Sequence, residues 1–180
     1  YEIVYEVYGG LRFFERAEIK DALAYLRLAT HTYDDVSFER IINQPARGIG
    51  DKTVSDIRVE ARGRGIPMWE AASDLVQEKR LKGRANASVA AFMSLMENMR
   101  EIIADQALPQ QVQTVADLSG LIQHFKKDQS DRGQSRVENV EELANAARTY
   151  VHHANDDPDL NALDEFLAHA ALEAGEGQAD

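Results

Sequence analysis

The chain of 180 residues is long enough for one compact domain with a real core, or one domain plus a piece of a neighbour. It has no cysteine, which removes disulfides and thiolate metal sites, and it has no apolar run of bilayer-spanning length and no signal-peptide pattern, so a cytoplasmic location is expected. The net charge of −11 argues at first against a polyanionic partner, but residues 138–180 hold eleven acidic side chains and one basic, leaving 20 acids and 19 bases in the rest.

In chain order, Glu2 to Val7 alternates in the manner of a strand before Gly9-Gly10, as if cut from a larger sheet. Ile19, Ala22, Leu23 and Leu26 then follow the spacing of an amphipathic helix. A short helix is expected to start at Ser37 as N-cap and to end before Pro45. There follows a two-glycine turn, Pro45-Ala46-Arg47-Gly48-Ile49-Gly50-Asp51-Lys52-Thr53, flanked by basic residues. Beyond it Asp51 is expected to cap a helix with Val54, Ile57 and Ala61 on its apolar face, stopped by Gly63 with Gly65. Helices on either side of the Gly-Ile-Gly turn make a hairpin.

Pro67 suits the first turn of the next helix, which carries Trp69, Ala72 and Val76 on one side. Val89, Phe92, Met96, Met99 and Ile103 form the stripe of a longer helix, expected to run until Pro109. Leu118 to Lys127 reads as helix broken at Gly120, and Asp128 to Gln134 as an exposed loop. Val137 to Tyr150 and Leu160 to Leu172 give two more amphipathic segments, separated by Asn155-Asp156-Asp157-Pro158. The fold class is mostly α, with a short strand at the start.

The turn at Gly48 to Gly50 is the outstanding chemical feature. Glycines let the main chain approach a ligand closely, and the first amides of the following helix are unpaired donors at its positive end. Phosphate suits that arrangement. The segment Arg40 to Arg64 adds six basic residues against three acidic ones, a local excess that sets where a polyanion docks. The turn is no nucleotide loop: the residue before Lys52 is Asp51 where glycine is needed, and the preceding element reads as helix.

Other candidates give way to plainer readings. His152-His153 with Asp156, Asp157 and Asp159 lacks the glycine of a calcium loop and reads as solvated, and His31, Tyr33 and His169 read as structural. Lys79-Arg80-Leu81-Lys82-Gly83-Arg84 reads as an exposed helix end, and the stripe from Phe92 to Met99 as core. No nucleophile and no acid–base pair emerges, and no metal or cofactor is expected in this chain.

The run Val7 to Leu28, the Gly-Ile-Gly turn, Arg136-Val137-Glu138-Asn139-Val140-Glu141-Glu142-Leu143 and Phe166 to Asp180 together resemble the UvrD/PcrA/Rep helicases of superfamily one. The resemblance implies an α-helical accessory subdomain, called 2B, inserted into a RecA-like motor subdomain. Residues 1–16 would be the motor's edge, 17–172 the insert and 173–180 the return linker.

It further implies a parent that unwinds DNA 3′ to 5′ in repair, driven by ATP with Mg bound outside this chain, so that the chain alone should not hydrolyse ATP. Carried over by position, Gly48, Ile49 and Gly50 match the duplex-binding motif. Arg47, Lys52 and Thr53 match flanking phosphate ligands, and Lys20 a basic position on the preceding helix. The partner implied is double-stranded DNA at a single-strand junction, alongside the motor subdomains and repair proteins, with rotation of the insert as a gate. Where the family reads Thr-Pro-Thr-Arg before Gly-Ile-Gly, this chain has Gln44-Pro45-Ala46-Arg47. A rival reading is a protein-interaction or autoregulatory module docking through the acidic stretch from Glu138 onward.

Overall fold

The computed structural model describes residues 11–151 and 161–175, all as helices and connecting turns with no strand among them. The expected strand at Glu2 to Val7, the turn at 155–158, and His152 and His153 lie outside the described residues. The helices are α1 (Leu11–Glu15), α2 (Ala17–Thr30), α3 (Asp35–Ile41), α4 (Asp51–Arg64), α5 (Met68–Gln77), α6 (Ala85–Ile103), α7 (Leu108–Leu118), α8 (Leu121–Lys126), α9 (Asp131–Val151) and α10 (Ala162–Glu173). They form two compact units: one takes Tyr1–Leu23 with Asp105–Asp180, the other Ala24–Ala104.

In the second unit α5 packs on α3, α4 and α6. The stripe Val89, Phe92, Met96, Met99 and Ile103 is buried along α6, as its spacing predicts, and Phe38 of α3 meets Phe92 edge to face with ring centroids 5.9 Å apart. Helix α6 stops at Ile103, short of Pro109, and Pro109 instead sits in the first turn of α7, where its missing N–H costs nothing.

Local chemistry moves several other boundaries. Helix α3 is capped by Asp34 and not by Ser37: the Asp34 carboxylate accepts the Ser37 amide at 3.0 Å, and Ser37 is buried inside the helix. Helix α4 starts at Asp51, its expected cap, with the N-cap one residue earlier at Gly50, and it runs through Gly63 to a left-handed Gly65. On α5 the buried face is Met68, Ala71, Ala72 and Leu75, one residue off the expected stripe. Trp69 lines an open cleft with Leu28, Met96 and Arg100.

In the first unit α9 packs on α7, α8 and α10, while α10 also meets α1. Phe14 lies edge-on to Phe166 and to His169, and Tyr150 stands 5.1 Å from the His169 ring, so His169 is held in an aromatic cluster. Burial and the nearby Glu165 raise the Tyr150 pKa above its ordinary value. The expected loop at 128–134 is half helix. The Asp128 carboxylate accepts both the amide (3.0 Å) and the hydroxyl (2.6 Å) of Ser130, and that turn starts α9 at Asp131. These bonds hold the Asp128 carboxyl below the usual carboxylate range. A Cβ on Gly133 would stand 2.0 Å from the Asp128 carbonyl oxygen, so only glycine fits there.

The acidic stretch from Glu138 is no loose tail in its described part. Val140, Leu143 and Ala147 bury one face of α9, and Leu163, Phe166 and Ala170 one face of α10. Of its described acids, Glu138, Glu141 and Asp164 are exposed, while Glu142, Glu165 and Glu173 are half-buried.

Candidate nucleic-acid interface

The Gly-Ile-Gly turn joins α3 to α4 within the second unit. Three devices fix its path. The Asn43 side-chain oxygen accepts the amides of Arg47 (2.7 Å) and Ile49 (3.1 Å), folding the loop back on itself. Ile49 drives its side chain into the core, where only 1% of its surface stays exposed. Gly48 takes φ +77°, a left-handed conformation that glycine adopts without strain.

Arg47 is turned inward. Its Nη1 donates to the carbonyls of Ile41 (2.8 Å), Pro45 (3.2 Å) and Ile42 (3.3 Å), and its Nη2 donates to the Tyr25 hydroxyl. The guanidinium carbon lies 5.6 Å from the Tyr25 ring centroid and 5.2 Å from that of Phe92. Tyr25, fully buried, in turn donates its hydroxyl hydrogen to the Gln44 carbonyl at 2.5 Å. An arginine beside the last carbonyls of α3 also complements the negative end of that helix.

Gly50 differs from Gly48. Its backbone is extended, φ −83° and ψ 176°, a conformation open to any residue, and a Cβ there would meet nothing within 4 Å. It occupies the N-cap of α4, where serine, asparagine or aspartate would bond the first amides, and it offers no side chain to do so. The first turn of α4 faces outward: Gly48, Gly50, Asp51 and Lys52 are exposed and Thr53 is half-buried. Lys52 keeps 81% of its side chain exposed, with only a 3.6 Å pair to Asp56. Such a surface pair is weak and easily exchanged.

Most other cations of the basic segment have partners. Arg58 donates through Nε to Glu39 at 2.8 Å, and Arg64 pairs with Asp74 (2.7 Å) and Glu60 (3.4 Å). Glu60 also takes Arg80 at 3.0 Å, and that bond is the main reason its carboxyl titrates below the ordinary range. The excess counted along the sequence is therefore partly consumed inside the fold.

The turn thus brings together Arg47, Gly48, Ile49, Gly50, Lys52 and Thr53. Lys20 belongs to the other unit, half-buried on α2, with no ion-pair partner among the described residues. The sequence offered little notice of Asn43, Tyr25 and Phe92, which shape the turn; a tyrosine on an otherwise apolar helical face, needing a partner for its hydroxyl, was the available signal. Among the described residues no group of three or more His, Asp or Glu side chains is placed to hold a metal ion, and no helix is long and apolar enough to cross a membrane.

The family of UvrD-like helicase C-terminal domains matches residues 1–180. The chain is 48% identical over 176 residues to DNA helicase II of Escherichia coli strain K12, covering 98% of this chain and 24% of that protein. Over 178 residues it is 44% identical to DNA helicase II of Haemophilus influenzae, covering 99% and 24%. It is 32% identical over 184 residues to the ATP-dependent DNA helicase UvrD1 of Mycobacterium tuberculosis, covering 96% and 24%. The chain spans about a quarter, 24%, of the length of these curated relatives.

Proposed function

This chain belongs to the family of UvrD-like helicase C-terminal domains, and from that premise we propose that it is a duplex-gripping accessory subdomain of an ATP-dependent 3′-to-5′ DNA helicase acting in repair. The ligand of the turn is the phosphate backbone of double-stranded DNA beside a single-strand junction. The amides at the exposed start of α4 donate to a phosphate, Lys52 supplies charge, and the Thr53 hydroxyl supplies a further donor. Lys20 serves as a separate backbone contact on the other unit. ATP and Mg belong to the motor. The turn itself does not fit a nucleoside triphosphate, because Asp51 replaces the required glycine and helix α3 precedes it.

The observation that carries this reading is Gly50. A capping side chain would be sterically free and energetically favoured there, yet the position is bare, which leaves the α4 amides to a ligand from outside.

Contacts to backbone alone make affinity insensitive to base sequence and steeply dependent on salt. Binding of the full-length protein to blunt duplexes of two unrelated sequences, titrated across salt concentrations, tests this. Equal affinities with a linear log–log fall are expected, and Lys52→Ala should reduce the slope by about one. A flat salt response, or a Lys52→Ala slope equal to wild type, would sink the assignment and favour a protein-docking role.

A further inference from the structure

Arg47 stands next to the glycines and carries a positive charge, which on sequence grounds makes it a phosphate ligand. Its geometry says otherwise. Nη1 donates to three carbonyls, those of Ile41, Ile42 and Pro45, and Nη2 to the Tyr25 hydroxyl. The guanidinium carbon is also within cation–π range of two rings, Tyr25 and Phe92. A guanidinium committed in this way could reach a phosphate only by abandoning charge-assisted bonds to the chain end it holds.

We propose that Arg47 is a positioning residue for the DNA grip, and that Tyr25, buried and out of reach of any duplex, is the second member of the same device. The pair ties the end of α3 and the Gln44–Pro45 segment to the core. Asn43 then carries that fixed point on to the amides of Arg47 and Ile49, so the path through Gly48 and Gly50 is set from behind. This is a fork-shaped task. It needs a planar fork of N–H donors and a face that stacks; lysine donates from a tetrahedral ammonium and has neither the plane nor the face.

The inference rests on the duplex-grip reading, and its test keeps the two apart. The full-length protein and its Arg47→Ala, Arg47→Lys, Tyr25→Phe and Lys52→Ala variants are titrated with a blunt duplex across salt concentrations. The temperature is one where circular dichroism shows each variant fully folded. Arg47→Lys is expected to bind about tenfold more weakly than wild type, close to Arg47→Ala. Tyr25→Phe should weaken binding by a smaller factor, about threefold, although it removes one buried oxygen and no charge. A merely structural role would move the melting temperature of these variants and leave the affinity of the folded protein alone.

Arg47→Lys binding like wild type would overturn the proposal, because a phosphate ligand tolerates a second cation at that point. So would Tyr25→Phe binding like wild type. A wild-type protein without salt-dependent duplex affinity, or a Lys52→Ala variant with an unchanged slope, would overturn the grip reading instead.

Discussion

Two basic turns of the second unit lead into helices, and they are built alike up to a point. The turn at 43–50 precedes α4, and the turn at 79–84 precedes α6. Each buries one apolar anchor, Ile49 or Leu81. Each has one glycine at positive φ, Gly48 at +77° or Gly83 at +61°, and each has an arginine bonded to other residues of the unit. The arginines differ in what they hold. Arg47 is bound by carbonyls, a phenol and two rings, whereas Arg80 is bound by the carboxylates of Glu60 and Glu78. The last residue before each helix differs too: Arg84 at one, a bare Gly50 at the other. Positive charge near a turn is thus a poor guide to a ligand, because the fold consumes it. The duplex-grip proposal rests instead on a glycine that the backbone does not require.

The likeness between the turns is most exposed to their anchors. Ile49→Ala and Leu81→Ala should each cost about 2–4 kcal/mol, read from the urea midpoint at unchanged m-value. A much smaller loss for Ile49 would mean that the first turn is held from Asn43 and Arg47 alone.

Next come the two left-handed glycines. Gly48→Ala and Gly83→Ala should each lower stability by about 1 kcal/mol, since a Cβ at positive φ is disfavoured even where space is open. Gly50→Ala should cost less, about half a kcal/mol, the margin by which glycine exceeds alanine at an N-cap. Equal losses at Gly48 and Gly50 in thermal melts would erase the distinction drawn between them.

The smallest effect separates the arginines by pH. Glu60 titrates below its ordinary value, mainly through its bond to Arg80, so the unfolded chain binds the proton more readily. Its contribution is therefore present above the ordinary carboxylate pKa and is lost as pH falls through the depressed value. Glu60→Gln should flatten part of the acid side of the stability profile. The carbonyls, phenol and rings that hold Arg47 do not ionise near that pH, so Arg47→Lys should alter the acid side less than Glu60→Gln does.

Much of this was legible in the sequence. The stripes of α2 and α6 were read correctly because burial is one-sided there, with Ile19, Leu23, Leu26, Met96 and Met99 all inside. The stripe expected on α5 lies one residue off because Trp69 and Val76, the largest apolar side chains beside Ala72, flank the buried face and are only half-buried. The cap at Ser37 was misplaced because Asp34 reaches forward three residues to the Ser37 amide, which makes serine the recipient of the cap. At the site, the glycine pair and its helix could be read locally. The direction of Arg47 could not, because its ring and hydroxyl partners are distant in sequence, Tyr25 by 22 residues.

The central claim is that Gly50 is bare so that DNA phosphate, and not a side chain, meets the first amides of α4. Gly50→Ser tests it most directly, since serine adds a neutral cap without charge or clash. Melting temperature and blunt-duplex affinity of the full-length protein would be measured together at fixed salt. The account predicts stability held or raised by a few tenths of a kcal/mol, with duplex affinity clearly reduced. Duplex affinity equal to wild type, in a variant that is stably folded, would contradict it.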